Sequence, residues 1–198
     1  ASGTETELAM PLYWNIVPEE YRQKVADTLA AVVREKGLDV GLLGSKAILG
    51  ALRDNGHLDL AFSLASSQEY PSWGYWLKNE GTTFYENWDL TRIKDLSLNH
   101  MMFGEINAWF YKSLAGITPD ENHPGFYRFN VKPGFAKGLD HFEASFRSPN
   151  GEIRSEWIRK RRTITYSVTV PSNSIAYLTL PDGERELTCG RYTFKIKQ

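Results

Sequence analysis

The stretch "HFEASFRSPNGEIRSEW" (His141–Trp157) alternates apolar and polar side chains on both sides of a Ser-Pro-Asn-Gly turn. Phe142, Ala144 and Phe146 alternate with polar residues before the turn. The same alternation continues after the turn as far as Trp157. A period of two around a Gly-containing turn is typical of two antiparallel strands that form a hairpin. The stretch therefore predicts a β domain in this part of the chain.

Three more segments with strand character follow the hairpin. They are "TITYSVTV" (Thr163–Val170), "IAYLTL" (Ile175–Leu180) and "RYTFKIK" (Arg191–Lys197), separated by the turn sequences "PSNS" and "PDGE". Several short strands at regular spacing predict an antiparallel sandwich or barrel. We expect a β-sandwich.

The sequence before the hairpin has helical periodicity instead. "PEEYRQKVADTLAAVVREK" (Pro18–Lys36) begins with Pro and acids, ends with bases and is followed by Gly, which predicts a helix with one buried face. Shorter helices are expected at 45–54 and 58–66, and a last long helix at 98–114. Short Gly-containing loops between them indicate antiparallel neighbouring helices.

The change of period after "GITPDENHPG" (Gly116–Gly125) predicts a domain boundary. We place a helical domain at 1–122 and the β domain at 123–198. The helical part has few helices for its content of apolar residues, and "ASGTETELAMPLYWNIV" (1–17) has the pattern of the end of a helix already in progress. We therefore expect further helices of the same domain upstream of this chain.

Composition excludes several classes of function. A net charge of −1 argues against nucleic-acid binding, and no apolar run approaches the roughly 20 residues of a membrane span. The four histidines do not stand at metal-ligand spacing, and the single cysteine, Cys189, permits no internal disulfide. No Gly-rich phosphate loop or dinucleotide fingerprint is present. We expect no metal and no cofactor, and the sequence does not indicate a compartment.

The segment "YPSWGYWLKNEGTTFYENWD" (Tyr70–Asp89) combines aromatic side chains with a carboxylate, Glu86, that lies between Tyr85 and Asn87. A carboxylate in a short extended segment among aromatic rings is suited to act as a base or an acid. The alternative is a salt-bridged acid on the surface. Glycoside hydrolysis needs two carboxyl groups, and Asp89 is only a weak second candidate.

Other residues near this segment are candidates for sugar contact. His100, in "SLNHMMF", is expected at a helix N-terminus, where it either donates a hydrogen bond to a ligand or serves as a cap or packing residue. Trp73, Trp76 and Trp88 either stack on the apolar face of a pyranose or belong to the core. Sequence alone leaves both alternatives open.

These motifs resemble a known enzyme family. The runs "DVGLLGSKAILGALRDNGHLDLAFSLASSQEYPSWGYWLKNEGTTFYENWD" (Asp39–Asp89) and "SLNHMMFGEINAWFYKSLAGI" (Ser97–Ile117) are similar to the C-terminal part of bacterial α-L-rhamnosidases, glycoside hydrolase family 78. "FNVKPGFAKGLDHFEASFRSPNGEIRSEW" (Phe129–Trp157) resembles the β domain that follows in that family. The resemblance covers essentially the whole chain.

The resemblance implies the last helices of an (α/α)6 barrel followed by a β-sandwich. It also implies an inverting mechanism that releases terminal α-L-rhamnose from glycans or glycosides. Glu86 matches the general base, and His100 matches a histidine that contacts the substrate. Trp73, Trp76 and Trp88 match the wall of the sugar pocket, although the motif does not decide which ring touches the sugar.

One element of the family pattern has no counterpart in this sequence. The general acid of the family lies upstream in an Asp-Gly-Pro-Arg-type segment, and no such segment occurs here. We therefore expect a fragment that supplies the base, lacks the acid and is inactive alone. Its partners would be a rhamnose-containing carbohydrate and the missing N-terminal part of the same enzyme, and it would self-associate through the exposed barrel face.

Two rival interpretations remain at this point. The chain could be a non-catalytic carbohydrate-binding or structural module, in which the sandwich and the aromatic residues hold a glycan without cleaving it. It could also belong to an enzyme for a different glycan, because residues outside this chain contribute to specificity.

Overall fold

A computed structural model describes residues 3–91 and 97–197. The chain divides into two compact units, Ala1–Trp109 and Phe110–Gln198. The first is helical and the second consists of β-strands after one helical turn. The predicted order, helices followed by a β domain, is therefore confirmed. No helix within the described ranges combines the length and the apolar character that crossing a bilayer requires.

The division into units lies upstream of the boundary predicted between residues 122 and 123. The turn Phe110–Leu114 belongs to the β unit because its last carbonyl is bonded there. Leu114 O accepts hydrogen bonds from Trp157 Nε1 at 3.4 Å and from Gly134 N at 3.2 Å. The hydrophobic period changes only downstream of these residues in the sequence. The change therefore coincides with the first long strands and not with the border between the units.

Among its described residues, the helical unit contains six α-helices and the 3₁₀-helix that precedes the last of them. The α-helices are α1 (Glu5–Tyr13), α2 (Glu19–Lys36), α3 (Leu42–Asp54), α4 (Leu58–Ala65), α5 (Trp73–Lys78) and α6 (Glu105–Trp109), and the 3₁₀-helix is Met101–Gly104. The predicted helices at 18–36, 45–54 and 58–66 correspond to α2, α3 and α4. Helix α3 packs against α1, α2 and α4, and eight of its residues are buried. It is the central element of this unit.

Helix α1 corrects one expectation. The N-terminal segment is a helix that starts within this chain, because Thr4 and Glu7 form a reciprocal capping box. Glu7 N donates to Thr4 Oγ1 at 3.3 Å, and Thr4 N donates to Glu7 Oε2 at 3.4 Å. This arrangement satisfies amide groups that a first helical turn leaves unpaired.

The long helix predicted at 98–114 is interrupted. The 3₁₀-helix Met101–Gly104 precedes α6, and Phe110–Leu114 forms a π-helical turn. Hydrophobic periodicity predicts Met102, Ile106, Trp109 and Phe110 on one buried face of that helix. Ile106 and Trp109 are buried, whereas Met102 is 39% exposed and Phe110 is half-buried. Periodicity thus located the buried face only in part and could not distinguish an α-helix from a mixture of helix types.

The β unit consists of two four-stranded sheets. Its strands are β1 (Ile117–Pro119), β2 (Arg128–Val131), β3 (His141–Ser148), β4 (Gly151–Lys160), β5 (Thr163–Val170), β6 (Ile175–Leu180), β7 (Gly183–Leu187) and β8 (Gly190–Lys197). The strand orders are β1-β2-β6-β7 and β3-β4-β5-β8. All pairs are antiparallel except β2 with β6, which is parallel. One core joins residues from both sheets, as expected for a sandwich.

Glu5 introduces a pH-dependent term into the stability of the helical unit. This side chain is 1% exposed, and its Oε2 accepts a hydrogen bond from Asp39 N at 2.8 Å. Burial raises the pKa of the Glu5 carboxyl above 4.5, an effect that the Asp39 amide and Lys36 partly offset. The folded chain therefore holds this proton more tightly than the unfolded chain.

We expect the contribution of Glu5 to stability to be fully present below pH 4.5 and to be lost as the pH rises through its folded pKa. The Glu5→Gln variant removes the ionisation and should unfold at a higher urea concentration than the wild type at pH 7. Its stability should also change less between pH 4 and 7, read as urea midpoints at each of these approximate pH values. Identical pH dependence in both proteins would show that Glu5 is not the titrating group.

Candidate active site

The loop that carries Glu86 is held by a second stretch of chain. Glu86 N donates to Ser97 O at 3.0 Å, and His100 N donates to Phe84 O at 2.7 Å. Thr83 Oγ1 also donates to Leu98 O. Residues 83–86 and 97–100 therefore run side by side. The extended segment predicted around Glu86 is an irregular loop that these bonds hold in place.

The Glu86 carboxylate is oriented by the same pairing. Its Oε2 accepts a hydrogen bond from Ser97 N at 2.9 Å. Among the described residues it has no ion-pair partner, and its Oε1 has no hydrogen-bond partner. The side chain is half-buried. Within residues 3–91 and 97–197, Glu86 is therefore a carboxylate fixed through one oxygen, and it makes no salt bridge of the kind that the alternative interpretation requires.

Glu86 lines a pocket of about 290 Å³. The other residues that line it are Gly41, Leu42, Asn87, Trp88 and Phe103. The first two stand at the start of α3, where Gly41 is the N-cap. Trp88 Nε1 donates to Val40 O at 2.7 Å, which ties this wall of the pocket to the Glu86 loop. Sequence reasoning missed Gly41 and Leu42, because this link joins residues 48 positions apart.

Three tryptophans and Phe103 form a buried aromatic cluster beside the pocket. Trp88 packs against Phe103 with ring centroids 4.3 Å apart and against Trp76 at 4.6 Å. Trp73 meets Trp88 edge to face at 5.1 Å. Trp73 Nε1 donates to Phe103 O at 2.9 Å, and Trp76 Nε1 donates to Trp88 O at 3.3 Å. The rings therefore pack against one another, and the indole N–H groups of Trp73 and Trp76 both donate hydrogen bonds within the cluster.

The cluster separates the three tryptophans by position. All three rings are buried, with exposures of 6%, 2% and 7% for Trp73, Trp76 and Trp88, but of these only Trp88 lines the pocket of the described residues. From these contacts we infer that Trp73 and Trp76 hold Trp88 in position. Their role toward a sugar stays a prediction.

His100 lies on the stretch that pairs with the Glu86 loop. It occupies the N-cap position of the 3₁₀-helix Met101–Gly104, and its side chain caps no backbone group there. The long α-helix that was expected to begin near it is absent from this part of the described chain. The His100 side chain is half-buried and does not line the pocket formed by the described residues. Its contact with substrate also stays a prediction.

Asp89, the weak second acid, is engaged in a local turn. Its Oδ1 accepts hydrogen bonds from Thr91 N at 2.9 Å and from Thr91 Oγ1 at 2.7 Å. Asn87 Oδ1 in turn accepts from Asp89 N at 2.9 Å. These bonds shape the chain after Glu86. They give Asp89 a structural role.

A possible cation site that sequence spacing did not reveal lies in the β unit. His141, Glu143 and Glu156 offer one ligand atom each, and these atoms lie within 4.8 Å of one another. The expectation of no metal rested on spacing along the chain, which misses groups that strand pairing brings together. Arg154 already pairs with Glu143 at 2.7 Å and with Glu156 at 3.5 Å, so one positive charge offsets part of the negative charge of the two carboxylates.

Comparison with known families matches both units. Residues 1–114 match the bacterial α-L-rhamnosidase six-hairpin glycosidase domain, and residues 116–194 match the bacterial α-L-rhamnosidase C-terminal domain. An α-L-rhamnosidase of Streptomyces avermitilis is 29% identical over 90% of this chain, and one of Formosa agariphila is 28% identical over 93%. The chain spans 18% and 21% of the length of these two relatives.

Solved structures agree with the sequence matches. The Streptomyces avermitilis α-L-rhamnosidase in complex with L-rhamnose superimposes with a TM-score of 0.88 and 27% identity over 98% of this chain and 22% of its own. The α-L-rhamnosidase of Aspergillus terreus gives 0.90 and 27% over 98% and 24%. The chain therefore belongs to the bacterial α-L-rhamnosidase family, with residues 1–114 in its six-hairpin glycosidase domain and residues 116–194 in its C-terminal domain.

Proposed function

We propose that this chain is part of an inverting α-L-rhamnosidase, to which it supplies Glu86 as the general base. The observation that carries this proposal is the Glu86 carboxylate, which lines a pocket with Trp88 and Phe103 and whose Oε1 has no partner within residues 3–91 and 97–197. The named activity of the relatives, and the L-rhamnose in the Streptomyces avermitilis complex, support rhamnose-containing glycans or glycosides as the substrate class.

The geometry of Glu86 suits the work of a base. Ser97 N fixes one carboxylate oxygen of Glu86, a residue that lines the pocket. A water between the Glu86 carboxylate and the anomeric carbon would lose a proton as it attacks. In an inverting enzyme this water approaches the face of the sugar opposite the leaving group. Glu86 would then accept the proton of this water while the configuration at the anomeric carbon inverts.

We assign the general acid to residues outside this chain. The acid must protonate the leaving oxygen from the opposite side of the sugar, about 6.5–9.5 Å from the base. Asp89 is bonded to Thr91 and follows Glu86 in the same loop. The relatives are several times longer than this chain and so provide ample sequence for a second carboxylate.

Sugar contacts are assigned to the aromatic wall and to His100. Trp88 lines the pocket and can offer part of its ring to the apolar face of a pyranose. Trp73 and Trp76 would act through Trp88 by fixing its position. His100 is linked to the Glu86 loop through Phe84 O and would donate a hydrogen bond to a sugar hydroxyl.

The stereochemistry of the product tests this proposal. The full-length enzyme that contains this chain should hydrolyse an aryl α-L-rhamnoside and release β-L-rhamnose first, observed by proton NMR before mutarotation. The corresponding α-D-mannoside and α-L-fucoside should be poor substrates. Initial release of α-L-rhamnose would show retention and would overturn the role of Glu86 as a base.

The 198-residue chain by itself is expected to give no turnover of the aryl α-L-rhamnoside. Its pocket would hold the base without the acid, and loss of acid catalysis alone costs about 10²- to 10⁴-fold in rate. The Glu86→Gln variant of the same chain, which lacks the proposed base, is the negative control. Turnover by the chain that Glu86→Gln abolishes would show that the acid lies within residues 1–198.

We also propose that the isolated chain self-associates through its helical unit. Several large apolar side chains of this unit are exposed, namely Ile16 (71%), Leu43 (64%), Leu77 (73%) and Met101 (84%). Exposed apolar surface of this kind favours association. A concentration-independent monomer in sedimentation would contradict this part of the proposal.

A further inference from the structure

The outer face of the sheet β1-β2-β6-β7 carries an open groove of about 460 Å³. It lies entirely within the β unit and contains no residue of the Glu86 pocket. Polar and aromatic side chains from three adjacent strands line it: Asn130, Tyr177, Thr179, Glu184 and Glu186.

Strand register explains why these side chains converge. Asn130 pairs with Tyr177 across β2 and β6, and Tyr177 pairs with Glu186 across β6 and β7. Two residues further along β6, Thr179 pairs with Glu184 of β7. Directly paired residues point to the same side of a sheet. An amide, a phenol ring and a carboxylate therefore form one row across three strands.

The polar groups of this row have no internal partners. Within the described part of the chain, none of the five lining side chains named above makes a hydrogen bond or an ion pair. The outer face of the other sheet differs, because Arg154 pairs there with Glu143 and Ser167 bonds to Thr193 at 3.1 Å. On the β3-β4-β5-β8 sheet, these polar side chains bond to one another. On the β1-β2-β6-β7 sheet, the lining side chains instead face solvent beside the half-buried ring of Tyr177.

We propose that this groove is a second, non-catalytic binding site for a neutral carbohydrate. The ring of Tyr177 provides a flat apolar surface for the C–H face of a pyranose. The Asn130 amide can both donate to and accept from sugar hydroxyls, and the carboxylates of Glu184 and Glu186 accept from them. These are the complementary groups for a polyol with one apolar face.

Charge restricts the ligand to neutral glycans. Glu184 and Glu186 place two carboxylates on the groove. Arg185 also lines the groove, but its guanidinium donates to Asp182 at 3.0 Å and 2.8 Å and lies over the ring of Phe194. The groove therefore has negative charge that Arg185 does not cancel, and it disfavours uronate-rich or sulfated glycans by repulsion. This site does not depend on hydrolysis at Glu86.

The test is titration of the whole chain with neutral gluco-, manno-, galacto-, xylo- and rhamno-oligosaccharides, with dextran sulfate as the anionic probe. At least one neutral probe should bind with Kd below about 10 mM. Tyr177→Ala should weaken that binding at least about tenfold, whereas Tyr177→Phe keeps the ring and should bind nearly as the wild type. Asn130→Ala should weaken it as well. Tyr127→Ala, at a tyrosine 49% exposed outside the groove, is the matched control and should bind as the wild type.

Three results would overturn the proposal. The first is no binding of any neutral probe. The second is binding that persists in Tyr177→Ala and Asn130→Ala but disappears in Glu86→Gln, which would place the sugar in the other pocket. The third is binding of dextran sulfate as tight as that of the neutral probes. Binding that survives Glu86→Gln and is lost in Tyr177→Ala supports the groove whether or not the proposed hydrolysis is correct.

Discussion

Replacing Glu86 with Gln in the full-length enzyme is expected to lower kcat for an aryl α-L-rhamnoside by about 10²- to 10⁴-fold. Gln retains an oxygen that can accept the Ser97 N–H, so the loop should keep its conformation. Its amide cannot take a proton from the attacking water. The loss should therefore fall on kcat, with a much smaller change in KM.

A matched control for this variant is Glu80→Gln, an exposed acid six residues earlier in the sequence. It should leave kcat and KM near their wild-type values. A Glu86→Gln enzyme with kcat within about tenfold of the wild type would contradict the role of Glu86, because base catalysis contributes at least about 10²-fold.

Replacing Trp76 with Ala is expected to destabilise the helical unit by about 3–5 kcal/mol. Trp76 is 2% exposed and packs against Trp88, Phe103 and Tyr85 at centroid distances of 4.6, 5.3 and 5.5 Å. Its removal would leave a cavity behind the pocket wall and lose the bond from Nε1 to Trp88 O. The change should be visible in urea unfolding followed by far-UV circular dichroism.

Trp76→Phe provides the comparison, because it keeps an aromatic ring in the cluster and should cost less than Trp76→Ala. If Trp76 supports Trp88, stability should fall with the size of the truncation. An unchanged unfolding midpoint together with a raised KM would instead show that Trp76 contacts the sugar, and our assignment of this ring as a support would be wrong.

Local sequence pattern predicted β3, β4, β5, β6 and β8, and it missed β1, β2 and β7. The hairpin around Ser148–Gly151 pairs Phe146 with Ile153 and Phe142 with Trp157, as the alternation indicated. Strand β7 was missed because "GEREL" is dominated by charges, and it forms only because β6 pairs with it. The parallel pairing of β2 with β6 joins distant segments, and no short window of sequence contains that information.

The candidate site was predictable only in part. The motif around Glu86 indicated the carboxylate, and the structure places it in a pocket with Trp88. The walls at Gly41 and Leu42 depend on the bond from Trp88 to Val40 O, which connects parts of the chain far apart in sequence. Burial of Trp73 and Trp76 is a property of packing. The composition of the segment indicated that aromatic rings would lie at the site, but it did not show which of them line the pocket.

The most direct test of Glu86 as the base is azide rescue of the Glu86→Ala variant in the full-length enzyme. Truncation should open space on the face of the sugar where the water attacks, and azide needs no base. Azide should raise the rate with an aryl α-L-rhamnoside, and the product should be β-L-rhamnosyl azide. A product of retained α configuration, or a Glu86→Ala enzyme that hydrolyses the substrate at the wild-type rate without azide, would contradict the role of Glu86 as the base.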